Sequence, residues 1–212
     1  MKILLIGASG TIGQRILAEA LSRGHTVTTV TRDPSKVPAQ DRVKAVKGDV
    51  LDAKSLASVA NGHDAVVSAF GPSGGQDASK TVDAARAQIA GLKDAGVKRL
   101  IVVGGAGSLE VAPGVQVVDT PEFPAAWKGI ALAHRDALEV YRKEGGDLEW
   151  TYISPPALIE PGTRTGKFRV GADQLLVDAN GQSRISAEDY AIALVDEVET
   201  PKHVRKRFTV AY

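Results

Sequence analysis

The sequence contains no cysteine, which excludes disulfide bonds, thiolate metal ligands and cysteine nucleophiles. It also lacks a dominant charge of one sign, because 26 Lys and Arg residues nearly balance 25 Asp and Glu residues. A formal net charge of +1 gives no overall field that would attract nucleic acid or an acidic membrane. We therefore expect a small-molecule partner, no nucleic acid and no membrane, and a chain that is a monomer or a weak homodimer.

Long hydrophobic runs are absent as well. No segment approaches the ~20 apolar residues that a membrane-spanning helix needs. The apolar run near the start, 3–6, ends at Gly7 and is shorter than the ~7–15 residues of a signal-peptide core. The histidines are scattered and no carboxylates cluster at ligand spacing, so no metal site is predicted. These features together predict a soluble cytoplasmic protein.

The most informative feature that is present is a strand leading directly into a glycine-rich turn and a helix. The strand residues KILLI at 2–6 precede GASGTIG at 7–13, and an amphipathic stretch at 14–23 follows. The first glycine permits a sharp turn, the second lets a diphosphate approach the backbone, and the third lets the helix pack close to the sheet. The free N–H groups and positive dipole end of the helix then face the phosphates. The residues of this segment that are predicted to bind the dinucleotide are Gly7, Ser9, Gly10, Thr11, Ile12 and Gly13.

Short apolar runs alternate with helical patterns along the rest of the chain. The predicted strands are 27–31, 43–47, 65–70, 100–103 and 150–154, and the predicted helices are 53–60, 77–95 and 125–144. Continuous apolar strands that alternate with helices indicate a parallel sheet covered on both faces. The predicted fold class is α/β, a doubly wound parallel sheet of the NAD(P)-binding Rossmann type, in a single domain over residues 1–212.

Two irregular segments, 104–124 and 155–180, interrupt this alternation. The first is rich in Gly and Pro without periodicity, and the second contains two short strand-like pieces, 167–170 and 175–177. Both follow late strands of the sheet, where open α/β folds bind ligands. They are predicted to form the substrate side of the molecule, the second as a small C-terminal lobe. A helix at 187–197 and a strand at 208–210 complete the chain.

The spacing Gly7-x-x-Gly10-x-x-Gly13 resembles that of the extended and atypical short-chain dehydrogenases/reductases. Further marks follow in the order that this superfamily shows: TRDPSK at 31–36, GDV at 48–50, SAFG at 68–71 and SPP at 154–156. The combination is similar to an atypical NAD(P)H-binding group that includes NADH-flavin reductase-like proteins, biliverdin reductase B and NmrA-like regulators. This resemblance implies a Rossmann fold and a nicotinamide cofactor, and it suggests a flavin-type substrate.

The resemblance also assigns cofactor contacts. Arg32 stands where an NAD-preferring enzyme usually has an acid, and a guanidinium there can pair with the 2′-phosphate of NADP. NADP is therefore the preferred cofactor. NAD is also possible because Asp33 is adjacent, and the alternative interpretation is that Arg32 and Lys36 belong to a solvated loop. Asp49 can accept the adenine amino hydrogen while Val50 covers the ring edge, or the aspartate simply forms a turn. The other implied contacts are Ala69, Phe70, Gly71, Gly104, Gly105, His134, Pro155 and Pro156.

One feature of the superfamily is missing, the Tyr-x-x-x-Lys pair that supplies a proton. None of the four tyrosines has a lysine four residues later, and the serine expected after the fifth strand is replaced by Gly-Gly-Ala at 104–106. Carbonyl chemistry needs an acid beside the oxygen, whereas a flavin or quinone mainly needs stacking and can take its proton from water. The loss therefore favours reduction of a planar acceptor, with flavin as substrate rather than bound cofactor, or no catalysis at all.

Four residues are candidates for the substrate side. His134 lies near the position of the family's tyrosine, where the resemblance implies positioning of the ribose or substrate rather than an essential acid; the alternative is a helix-surface histidine. Phe123 and Trp127 could form an apolar wall for a planar ring or anchor the loop to the core. Ser108 lies near the position of the missing serine but is displaced along the chain. The alternative functions are a non-catalytic NAD(P)-sensing regulator and, less favoured, a sugar-nucleotide epimerase or dehydratase.

Overall fold

Alternating strands and helices build the protein in a computed structural model that describes residues 1–37, 40–71 and 77–212. In chain order the described strands are β1 Lys2–Ile6, β2 Thr26–Thr31, β3 Val43–Lys47, β4 Ala65–Ser68, β5 Arg99–Val103, β6 Glu110–Ala112, β7 Val115–Gln116, β8 Glu149–Ser154, β9 Leu158–Glu160, β10 Arg169–Gly171, β11 Arg184–Ser186 and β12 Lys206–Ala211. The α-helices are α1 Thr11–Ser22, α2 Ala53–Ala60, α3 Lys80–Ala95, α4 Ala125–Glu144 and α5 Ala187–Glu199.

Eight of the described strands form one sheet in the order β10-β12-β8-β5-β4-β1-β2-β3. Within it β10 runs antiparallel to β12, and the other neighbouring pairs are parallel. The chain builds outward from β1 to β3 on one side and then from β4 towards β12 on the other. The strand order therefore reverses between β1 and β4, and the crevice outside the carboxyl ends of these two strands is where such sheets bind ligands.

The two faces of β1 show why the sheet is covered on both sides. Ile3 and Leu5 pack with α1 and α5, whereas Leu4 and Ile6 pack with α2, α3 and α4. All four side chains are almost fully buried, and each such burial contributes about 1.5–3 kcal/mol. The doubly wound α/β prediction is confirmed, because a strand that is apolar at successive positions requires a helical layer on each face.

Helix boundaries follow local capping chemistry. The helices predicted at 53–60 and 125–144 have those bounds. The carboxylate of Asp52 accepts a hydrogen bond from the backbone N of Lys54 at 2.9 Å and so begins α2. Gly96 ends α3 in the left-handed region at φ 70°. The predicted start of α1 at 14 and of α3 at 77 are wrong by three residues each, because α1 begins at the glycine turn itself and α3 only at 80.

The irregular segments hold short strands that the sequence pattern missed. Within 104–124, β6 and β7 form a small antiparallel hairpin, and β9 pairs in parallel with β11. The strand predicted at 175–177 is wrong. The backbone N of Leu175 donates to the backbone oxygen of Glu110 at 2.9 Å, next to an isolated β-bridge between Glu110 and Gln174, and no strand forms there. The strand-like piece predicted at 167–170 overlaps β10, which forms the edge strand of the main sheet. Among the described residues, none of the helices combines the length and apolar character needed to cross a membrane.

Candidate functional site at the carboxyl edge of the sheet

The glycine turn after β1 contains two glycines that the fold itself requires. Gly7 has φ 81°, and a Cβ on it would lie 2.5 Å from the backbone oxygen of Ala69. A Cβ on Gly13 would lie 2.0 Å from the backbone oxygen of Gly7. These approaches bring the turn against the segment after β4 and bring α1 against the turn. Any side chain at either position would force the backbone to shift.

Gly10 differs from both, because the fold leaves it room. Its φ of −75° suits any residue, and the nearest atom to a Cβ there is the oxygen of Gly7 at 3.5 Å, an ordinary contact. Packing within the protein therefore does not explain a glycine at this position. Close approach of a diphosphate to the backbone does explain it, and the residues present thus fit a dinucleotide.

The first turn of α1 is open to an anion. Gly10 is the N-cap residue, no side chain caps the helix, and no acidic residue occupies the first turn. Ser9, Gly10 and Thr11 are exposed. The unpaired N–H groups and the positive end of the helix dipole are therefore available to phosphate oxygens. Ile12, another of the predicted contacts, is partly buried against the core.

Arg32 and Asp33 follow β2, and their side chains have different surroundings. Arg32 is exposed and forms no hydrogen bond or ion pair with any described residue. The carboxylate of Asp33 turns away to cap a short 3₁₀ helix, accepting from the backbone N of Ser35 at 3.2 Å and from its hydroxyl at 2.6 Å. The side chain of Lys36 lies outside what the structure describes. Contact of Arg32 and Lys36 with a 2′-phosphate stays a prediction.

Asp49 follows β3 and forms the turn that was its alternative interpretation. Its Oδ1 accepts from the backbone N of Leu51 at 3.0 Å, and its own N donates to the hydroxyl of Ser55 at 2.9 Å. The residue is exposed, and Oδ2 forms no hydrogen bond with the described part of the chain. The turn therefore occupies one carboxylate oxygen, and contact of the other with adenine stays a prediction. Val50 is partly buried beside it.

The carboxyl ends of β4, β5 and β8 lie side by side, as the pairings Ser68–Val102 and Val103–Ile153 show. This alignment brings together the predicted residues that follow these strands: Ala69, Phe70 and Gly71 after β4, Gly104 and Gly105 after β5, and Pro155 and Pro156 after β8. The two prolines are buried, and Gly71 is the last described residue before 77.

His134 on α4 faces this edge rather than open solvent. A Cβ on Gly105 would lie 2.7 Å from the Cβ of His134, and one on Gly71 would lie 3.7 Å from its Nε2. Its Nδ1 is 3.2 Å from the hydroxyl of Tyr152, which donates to the backbone oxygen of His134 at 2.9 Å. Burial lowers the pKa of His134 to about 4, so the ring is neutral at physiological pH.

Packing around Gly104 and Gly105 leaves no room for the serine that the superfamily has after β5. A Cβ on Gly104 would lie 2.0 Å from Cε1 of Tyr152, and the corresponding atom on Gly105 would overlap with His134. The rings of Tyr152 and His134 therefore occupy the space that a serine would need. Burial raises the pKa of the Tyr152 hydroxyl, which keeps it protonated.

The structure places the three predicted substrate residues differently from one another. Ser108 is buried, and its hydroxyl accepts from Nη1 of Arg207 at 3.3 Å, so this hydroxyl is already engaged. Trp127 is 61% exposed in the first turn of α4, which does not fit an anchor to the core. Phe123 is partly buried just before the helix. A role in substrate binding stays a prediction for all three.

Sequence reasoning did not single out Tyr152, whose hydroxyl contacts His134. Within the continuous apolar strand β8 it has the pattern of a core residue, and its ring is indeed buried. The available signal was the Gly-Gly pair at 104–105, which indicates that large side chains from elsewhere approach this loop.

Fold and loop together define a dinucleotide-binding Rossmann domain of the oxidoreductase type. The chain belongs to the NAD(P)H-binding family, whose model matches residues 7–201. It is similar to a "putative exported protein" of Burkholderia pseudomallei, with 53% identity, TM-score 0.92 and 100% of both chains covered. It is also similar to a "putative epimerase" of Bacteroides thetaiotaomicron, with 42% identity, TM-score 0.92, and 100% of this chain and 96% of that chain covered. It is similar as well to a "putative NADH-flavin reductase" of Streptococcus pneumoniae, with 34% identity, TM-score 0.87, and 100% of this chain and 99% of that chain covered.

Proposed function

We propose that the protein is an NAD(P)H-dependent reductase that transfers hydride to a flavin, a quinone or a similar planar acceptor. The observation that carries this proposal is the state of the two polar side chains between the loops after β4 and β5. His134 is neutral, with a pKa of about 4, and the hydrogen of the Tyr152 hydroxyl is donated to a backbone oxygen. Neither group is suited to give a proton to a substrate near neutral pH.

This chemistry discriminates between acceptors. Reduction of a ketone places charge on an oxygen that needs an acid beside it, and loss of such an acid typically costs ~10²–10⁴ in rate. A flavin or quinone ring can take its proton from water, so the protein has only to hold the two rings together. When bound, the nicotinamide supplies the hydride; the chain's own residues bind the diphosphate at Gly10 and orient the ligand at His134.

We infer NADPH as the preferred reductant. Arg32 is exposed and unpaired among the described residues, whereas the neighbouring carboxylate of Asp33 is occupied by Ser35. A carboxylate directed at the ribose would favour NADH, and a free guanidinium favours the 2′-phosphate. We also infer a small planar molecule as the partner. Cytoplasmic location stays a prediction, since the description of one relative contains the words "exported protein". A monomer or weak homodimer also stays a prediction.

Two other functions compete with the proposed reductase. A non-catalytic NAD(P) sensor would also lack an acid at His134. An epimerase, the activity in the description of one relative, would need acid–base groups that the described residues at this edge do not offer.

The test is a titration with NADH and NADPH by calorimetry, followed by a scan of flavins, quinones, ketones and sugar nucleotides for turnover. Saturable oxidation of NADPH by a planar acceptor supports the proposal. Binding without any turnover would favour the sensor, and turnover of a ketone or sugar nucleotide alone would overturn the proposed acceptor class.

A further inference from the structure

The hydrogen atoms shared by His134 and Tyr152 can be assigned by counting donors. A tyrosine hydroxyl has one hydrogen, and that of Tyr152 is donated to the backbone oxygen of His134 at 2.9 Å. The same hydroxyl oxygen lies 3.2 Å from Nδ1 of His134. Since the oxygen has no second hydrogen to give, this contact requires Nδ1 of the histidine to be the donor. A neutral imidazole has a single N–H, so Nε2 then carries a lone pair.

The surroundings of the ring preserve this arrangement. The described groups of α3, α4, β4 and β8 that line the small cavity behind His134 include two titratable side chains besides it, Tyr141 and Tyr152. The hydroxyl of Tyr141 is bound to Gln88 at 2.9 Å. Among the described charged groups, Arg207 acts on the hydroxyl of Tyr152. On its own helix the neighbours of His134 are Arg135, which pairs with Asp119, and the exposed Asp136.

Among the described residues Nε2 of His134 has no hydrogen-bond partner. A Cβ on Gly71 would lie 3.7 Å from Nε2, so this atom borders the segment after β4. The cavity behind the ring has about 10 Å³, room for one water at most. Within the described part of the chain this cavity has no room for a cofactor or substrate, so a ligand would approach Nε2 from the carboxyl edge.

We propose that Tyr152 is a positioning residue that holds His134 in its Nδ1–H tautomer, so that Nε2 presents a lone pair to an N–H or O–H donor of the bound ligand. This inference deepens the proposed function, on which it rests for the nature of the ligand. The donor has two possible sources, a hydroxyl or carboxamide of the nicotinamide nucleotide, or a ring N–H of the acceptor. In either case the site recognises a hydrogen-bond donor and supplies none.

The tautomer is tested directly by ¹H–¹⁵N spectroscopy of the histidine ring in the unmodified protein between pH 6 and 8. Protonated Nδ1 and unprotonated Nε2 at His134 are expected throughout. Unprotonated Nδ1, or a ring that becomes doubly protonated in this range, would overturn the proposal. This readout needs neither cofactor nor turnover, so it does not depend on the proposed function.

Two pairs of variants test the role of the lone pair. His134→Gln places a carbonyl oxygen near the position of Nε2, whereas His134→Leu removes the acceptor. We expect Leu to weaken the affected ligand by about 5–10-fold, the value of one hydrogen bond, and Gln to restore most of that loss. Weaker binding of NADPH in calorimetry would identify the cofactor as the donor, and a raised KM for the acceptor alone would identify the acceptor. Equal behaviour of Gln and Leu would contradict the lone-pair role.

Tyr152→Phe removes the hydroxyl that orients the ring, and Tyr141→Phe is its matched control, because Tyr141 is equally buried but binds Gln88. The first variant should populate both ring tautomers and weaken the same ligand as His134→Leu, while the second should leave the tautomer unchanged. An unchanged His134 spectrum in a folded Tyr152→Phe variant would overturn the positioning role.

Discussion

Gly10→Ala separates ligand binding from folding more clearly than any other change in the turn. The φ of −75° is suitable for alanine, and the new methyl carbon would lie 3.5 Å from the oxygen of Gly7, so no atom of the protein has to move. Alanine is a weaker N-cap than glycine but lowers the entropy of the unfolded chain, and each effect is worth about 0.4–1 kcal/mol. Because they oppose each other, we expect the free energy of unfolding to change by less than about 1 kcal/mol.

The same methyl group would stand where the diphosphate approaches the backbone. We expect the Kd for NADPH and for NADH to rise at least about ten-fold, or ~1.4 kcal/mol, as measured by calorimetry. Gly129→Ala in α4 is the matched control, since a Cβ there has nothing within 4 Å. By contrast, Gly13→Ala should lose stability outright, because its Cβ would lie 2.0 Å from a backbone oxygen. Unchanged affinity in a folded Gly10→Ala variant would refute this placement of the diphosphate.

Three further predictions concern other parts of the chain. Arg32→Ala should weaken NADPH at least about ten-fold more than NADH, since a charge-assisted bidentate contact is worth about 1.5–3 kcal/mol; equal losses in calorimetry would mean that Arg32 does not contact the phosphate. Gly105→Ser introduces the residue type expected by resemblance. It should lower the free energy of unfolding by about 1–3 kcal/mol, because the new Cβ would lie 2.7 Å from the Cβ of His134. A variant of unchanged stability in denaturant titrations would contradict the packing described. Burial alone would raise the pKa of Asp189, but hydrogen bonds from Thr165, Gly166 and Tyr212 outweigh it and lower the pKa. The carboxylate therefore adds stability above its unfolded pKa of about 3.9 that is lost as the pH falls below that value, and Asp189→Asn should flatten this acid limb of the unfolding curve; an unaltered limb would argue against it.

The sequence was sufficient to predict the long elements but not the contacts between them. The helices at 53–60 and 125–144 and the turn at 7–13 carry strong local signals, in periodicity, capping and glycine placement. The hairpin of β6 and β7 and the pairing of β9 with β11 involve strands of two or three residues, which are too short to show a pattern.

The candidate site shows the same division. Placing Gly7, Gly10 and Gly13 requires only the order strand, turn, helix. The contact of His134 with Tyr152 joins residues 18 positions apart on different elements, and neither position differs in sequence from a helix-surface or core residue. The engagement of Ser108 by Arg207, 99 positions away, is equally invisible in the sequence.

The central claim is that hydride passes to a planar acceptor without an acid from the protein. Its most direct test is the steady-state rate of NADPH oxidation by a series of flavins and quinones, measured from pH 6 to 8. We expect saturable turnover whose pH dependence shows no step assignable to a protein group, because His134 titrates near pH 4 and the acceptor takes its proton from water. A sharp step in this range that disappears in His134→Gln, with a loss of rate of about a thousand-fold, would show that the histidine donates the proton and would contradict the claim.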